Sequence, residues 1–137
     1  MRPKSIVTFE RLALLSLAVA LILAVLTWRG NIAALEDSRI PTSLLWVSYA
    51  IGFGLGLLLI FLISRRGSNV AKWILVVLTA IGVVEMLTRV GDLLGGGIAG
   101  IAELGHMLLL AAALYFLFRE DSKAWFERGD RPADPVA

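Results

Sequence analysis

From Ile40 to Ser64 the chain carries no charged side chain. A single helix of about 20 apolar residues crosses the ~30 Å hydrocarbon core of a bilayer, so this stretch is long enough to span it. Inside lipid every backbone N–H and C=O must find its partner within the protein, which leaves an isolated segment of this kind only the helix. The stretch predicts a span over residues 42–63, and the rest of the chain must be compatible with lipid too. Composition agrees: 58% of the residues are hydrophobic and 18% charged, well below the ~25% charge of an ordinary soluble domain. The mean hydropathy is +0.84.

Three further apolar runs flank the central one. The first follows a basic start (Arg2, Lys4, Arg11) and occupies residues 9–28. Ala18-Val19-Ala20 has the small-x-small form of a signal-peptide cleavage site, but the apolar run continues past it to Leu26, which predicts an uncleaved helix. Gly30, Asn31, Glu36, Asp37, Arg39 and Pro41 break the chain after it, with room for a short interfacial helix near residues 32–35. The turn Ser64 to Lys72 offers Ser68 or Asn69 as the cap of a third span over residues 70–90. Gly91 to Gly97 reads as a glycine-rich connection, and the fourth span follows over residues 98–118. The sequence thus predicts an all-α integral membrane four-helix bundle over residues 1–118 with a polar tail over 119–137. In that tail residues 131–135 are expected to be disordered, and Trp125 and Phe126 to touch the membrane interface.

Basic residues set the expected orientation. Arg2, Lys4, Arg11, Arg65, Arg66, Lys72, Arg119, Lys123, Arg128 and Arg131 fall on one side of the four spans, and only Arg29, Arg39 and Arg89 on the other. Ten against three predicts both termini in the cytoplasm. Trp28 and Trp46 then mark the outer boundary and Trp73 the inner one. The net charge of +2 is explained by this topology, and no nucleic-acid role is assigned. The absence of cysteine removes disulfides, thiolate metal sites and dithiol redox chemistry.

Two features invite a functional reading. Gly52 and Gly56 form a GxxxG on the second span, a small face that admits another helix, either within the chain or from a second copy. The second feature is a set of ionisable residues at membrane depth, where charge is expensive. Glu85, Arg89 and Asp92 share a face of the third span, and Glu103 and His106 share a face of the fourth. A short connection between antiparallel neighbours would gather all five in the outer half.

Three accounts of this cluster stand side by side. In the structural one, Arg89 neutralises Glu85 and Asp92, Glu103 is stabilised near the positive end of its helix, and His106 makes an interhelical contact. In the second, Glu103 and His106 form an ExxH that joins Glu85 as metal ligands, a two-fold dimer completing a carboxylate-bridged site; the nearby Arg89 opposes it. In the third, Glu85, Glu103 and His106 relay or sense protons, although the spans below the cluster are apolar. Haem is disfavoured, with one histidine and only Met86 and Met107 as soft partners. No nucleophile or phosphate-loop motif is present.

Arg2-Pro3-Lys4-Ser5, Phe9-Glu10-Arg11-Leu12, the turn from Arg65 to Ile74 and Ser122-Lys123-Ala124-Trp125-Phe126 resemble small four-span inner-membrane proteins of Gram-negative bacteria. The resemblance covers most of the chain and implies a bacterial cytoplasmic membrane, but no activity, cofactor or site. The leading expectation is a non-enzymatic accessory or self-associating subunit acting through helix packing in a homo-oligomer or larger membrane complex. The alternatives are an ion or solute carrier or proton-responsive protein using Glu85, Glu103 and His106, and a dimeric metal-binding bundle.

Overall fold

Helix is the dominant conformation of the computed structural model, which describes residues 2–129; among these no strand occurs. Four helices are long and apolar enough to cross a membrane: α1 (Lys4–Leu26), α3 (Ser43–Arg66), α4 (Asn69–Thr88) and α6 (Gly97–Leu117). Shorter helices connect or follow them: α2 (Trp28–Asp37), α5 (Val90–Gly95) and α7 (Glu120–Gly129).

Local chemistry explains the breaks. Thr27 turns its hydroxyl back onto the Leu23 carbonyl at 2.8 Å, a bond that competes with the helix ladder, and α2 restarts at Trp28. α3 ends at Gly67, whose φ of +62° places it in the left-handed region that glycine enters without a Cβ penalty. Ser68 then caps α4, its Oγ accepting from Ala71 N at 3.2 Å. The expected glycine-rich connection before α6 contains a helical turn, α5, with Asp92 at its start.

α1 and α6 form the most extensive helix pair. They run antiparallel: Ser5 meets Asp121 at one end and Ser16 Oγ donates to the His106 carbonyl at 3.3 Å further along. α3 and α4 pack beside them, and α4 also touches α6. The sequence pointed to α4 as the neighbour of α6, from the short connection. The closer partner is α1, because Ala13 and Ala113, both fully buried, let those two backbones approach.

The packed core fills only one half of the molecule. It is built from Ile6, Phe9, Ala13, Leu59, Ile60, Ile63, Ala71, Leu75, Ala113, Leu117 and Phe126. This is the end where the start of α1, the α3–α4 turn and α7 come together, called here the terminal end. Along the spans burial stops at Ser16, Leu59, Thr79 and Ala113; towards the opposite end only Leu93 and Gly100 are buried, where α5 lies on α6.

The tail departs from expectation. Instead of resting at the membrane interface, Phe126 is 3% exposed and belongs to the core. Trp125 Nε1 donates to the Ile63 carbonyl at 3.0 Å, and the buried Ser122 donates to the Phe116 carbonyl at 2.8 Å. Ser122, Trp125 and Phe126 stand three and four apart, so a single face of α7 carries them all inward. Burying a side chain the size of Phe126 contributes about 1.5–3 kcal/mol, enough to dock a short polar helix. Residues 131–135 lie outside the described residues.

Candidate functional site

The half of the molecule without a packed core contains a polar cavity of about 360 Å³. Every span lines it or borders it: Ala20, Leu23, Ala24 and Thr27 from the end of α1, Asn31 from α2, Tyr49 from α3, Arg89 just past α4, and Ala99, Glu103 and His106 from α6. Ser16 bonds to the carbonyl of His106 directly beneath, so the floor of the cavity is the top of the core. One chain therefore presents a polar cup with the packed core beneath it.

Of the five ionisable residues singled out in the sequence, the cup gathers Arg89, Glu103 and His106. Glu103 and His106 are partly buried and lie one turn apart on α6. Glu85 and Asp92 are exposed and do not line the cup. Glu85 instead holds Arg89 from outside, with Nη1 and Oε1 3.6 Å apart, and its carbonyl accepts from Thr88 Oγ1 at 2.7 Å. Glu103 has no cation within ion-pairing distance among the described residues. Within one chain the expected cluster is thus divided: Arg89, Glu103 and His106 line the cup, and Glu85 and Asp92 do not. Among the described residues no three His, Asp or Glu side chains gather closely enough to hold a metal ion. The ligand set Glu85, Glu103 and His106 is not assembled by a single copy.

Three polar residues of the cup were not foreseen. Asn31 Nδ2 donates to Tyr49 Oη at 2.9 Å and to Thr27 Oγ1 at 3.2 Å, tying the start of α2 to α3. Thr27 and Asn31 stand four apart on a helix, a relation legible in the sequence once α2 is recognised. Nothing in the sequence brings Asn31 to Tyr49.

Beside the cup, α1 and α3 leave an apolar cleft of about 740 Å³. Leu14, Leu17, Leu21 and Val25 line it on one side and Tyr49, Ala50, Phe53 and Leu57 on the other. Trp28 and Trp46 stand at its mouth with ring centroids 4.3 Å apart, and Trp28 also approaches Tyr49 at 6.1 Å. Cleft and cup share two wall residues, Ala24 and Tyr49.

The GxxxG divides in its behaviour. A Cβ on Gly56 would meet Leu17 Cδ1 at 3.3 Å, so this glycine serves the α1–α3 contact. Gly52 and Gly54 have nothing within 4 Å.

At the terminal end Glu10 bridges two arginines, forming an ion pair with Arg2 and a second with Arg65 at 3.3 Å. Lys72 Nζ lies 4.3 Å above the Phe126 ring and 5.3 Å from that of Phe118, a cation–π arrangement. These contacts join the N-terminus, the α3–α4 turn and α7.

Comparison with known protein families, characterised proteins and solved structures finds no match to this chain.

Proposed function

We propose that the chain is a non-enzymatic subunit of the bacterial cytoplasmic membrane, a four-helix bundle with both termini in the cytoplasm, which works by packing against a second copy or a larger membrane complex. The basic residues support this orientation: by their order along the chain, ten of the thirteen belong to the side of the four spans on which the termini fall. The observation that carries the reading is the open small-residue face of α3. Gly56 is used inside the chain, whereas Gly52, one turn along the same face, meets nothing, at a level where the spans no longer bury one another; Gly54, on the other side of the helix, is open as well. Close helix approach through small residues drives association in lipid, where apolar burial alone supplies little. A helix from another chain would complete there the packing that this chain finishes only at its terminal end.

The test is association in lipid vesicles, read by energy transfer between donor- and acceptor-labelled copies as protein is diluted into lipid. The parent is expected to self-associate and Gly52→Leu to weaken it by about tenfold, roughly 1.4 kcal/mol, without loss of helicity. A parent that is monomeric at every dilution, and that also brings down no stoichiometric partner from its own membranes, overturns the reading.

The cup supports a second reading, a proton-responsive or ion-binding role for Glu103 and His106, because an unpaired carboxylate at membrane depth is costly. The apolar core beneath it favours binding or sensing over conduction. An acid-dependent flux in liposomes that Glu103→Gln abolishes would favour carriage instead.

A further inference from the structure

The apolar cleft and the polar cup share Ala24 and Tyr49 as wall residues, so an apolar compartment and a charged one lie side by side at one end of the spans. Their separate properties point to one amphiphile. The cleft follows α1 from Leu14 to Val25, about 17 Å at ~1.5 Å per residue. One leaflet of the hydrocarbon core is about 15 Å deep, so the cleft has the length of a single acyl chain. Its volume of about 740 Å³ is within the ~300–1,000 Å³ of ligand sites.

The cup carries both signs of charge. Arg89 has five N–H donors, and its pairing with Glu85 at 3.6 Å engages one nitrogen. Tyr49 Oη accepts from Asn31 and keeps its own proton to donate. Together these suit a phosphate, which arginine binds through charge-assisted hydrogen bonds. Glu103, without a cationic partner among the described residues, suits a primary ammonium. The indoles of Trp28 and Trp46 mark headgroup depth at the mouth of the cleft.

We infer that cleft and cup together bind one phospholipid with a phosphoethanolamine head, one acyl chain lying between α1 and α3, the phosphate at Arg89 and Tyr49, and the ammonium at Glu103. The second acyl chain stays in the bilayer. A phosphatidylglycerol head offers the same phosphate but no ammonium, and leaves Glu103 unpaired beside an anion. The inference goes beyond the association reading and does not depend on it, because the site is built within one chain.

The experiment is native mass spectrometry of the full-length protein in detergent, titrated with dioleoyl phosphatidylethanolamine or dioleoyl phosphatidylglycerol and read separately for each oligomeric species. The parent is expected to keep one phosphatidylethanolamine per chain under conditions that strip other lipid, with a preference over phosphatidylglycerol of roughly tenfold, the scale of one charge-assisted hydrogen bond. Glu103→Gln is expected to erase the preference, and Ala50→Phe, which fills the cleft, to lower retention of both lipids. Circular dichroism checks that each variant keeps its helices. Equal retention of the two lipids by the parent overturns the proposal whatever the variants do, as does a preference that survives Glu103→Gln or non-saturating adventitious lipid only. A monomer that keeps its selective lipid supports the proposal and leaves the association reading to the vesicle measurement.

Discussion

Ser5 and Asp121, at opposite ends of the chain, clasp each other: the Ser5 hydroxyl donates to Asp121 Oδ1 at 2.6 Å and its backbone N–H to Oδ2 at 3.2 Å. This holds the Asp121 carboxyl below its ordinary value of 3.8, chiefly through the hydroxyl bond, partly offset by lost solvation, with the Ser5 N–H and Arg119 adding to it. A lowered carboxyl pKa stabilises the docked state above the free value and loses that contribution as pH falls through the docked value. The indole N–H resonance of Trp125, which reports its bond to Ile63, is therefore expected to stay constant down to about pH 5 and to shift below about pH 4. Asp121→Asn should weaken docking at neutral pH and remove the acid step.

Gly67 is expected to tolerate no side chain. Its φ is +62°, and a Cβ there would lie 2.7 Å from the Trp125 carbonyl oxygen and 3.3 Å from the indole. The left-handed conformation alone costs an ordinary residue about 1–2 kcal/mol, and the clash adds displacement of α7. Gly67→Ala should lower the thermal midpoint in detergent and expose the Trp125 indole N–H to hydrogen exchange. An unchanged midpoint would mean that α7 contributes nothing to stability.

Gly82 and Gly100 both stand where a Cβ would collide, yet their substitutions should differ. At Gly82 the obstacle is the Met107 methyl at 2.7 Å, the end of a side chain with three rotatable bonds that moves readily. At Gly100 it is the Leu93 backbone, with the carbonyl oxygen in closest contact and the carbonyl carbon at 2.8 Å. Gly82→Ala is expected to change stability by less than about 1 kcal/mol, because the helix preference of alanine over glycine, about 1 kcal/mol, offsets the cost of moving the methyl. Gly100→Ala should detach α5 from α6, visible as lost amide protection over residues 90–95. Equal effects would contradict the α5–α6 packing described above.

The number and placement of the spans were legible because uncharged length is a strong signal: residues 42–63 were expected and Ser43–Arg66 found, and 98–118 became Gly97–Leu117. The cap of α4 was expected at Ser68 or Asn69, from their side-chain acceptors, and Ser68 provides it. Which helices pair was not, since a short connection constrains proximity but Ala13 and Ala113 decide close packing. The tail misled through its charge, which hid the inward face of Ser122, Trp125 and Phe126. Glu85 and Arg89 are four apart, as their i,i+4 contact reflects. Arg89, just past the end of α4, lines the cup and Glu85 does not, a division that no residue type announces. The bond from Asn31 to Tyr49 is a tertiary contact between α2 and α3 that no spacing announces, and the sequence put Trp28 and Trp46 at one boundary without bringing their rings together.

Orientation can be measured directly because the chain contains no cysteine, so one introduced thiol is a unique label. Glu36 on α2 and Glu127 on α7 are exposed at opposite ends of the spans, and neither takes part in an ion pair among the described residues. With both termini in the cytoplasm, Glu36→Cys should react with a membrane-impermeant maleimide on intact spheroplasts. Glu127→Cys should react only after the membrane is opened. The opposite pattern would place Arg65, Arg66, Arg119 and Lys123 outside, against the bias of basic residues towards the cytoplasm. It would also move the cup and the lipid cleft to the inner leaflet, where Glu103 would face cytoplasmic pH and a different pool of headgroups.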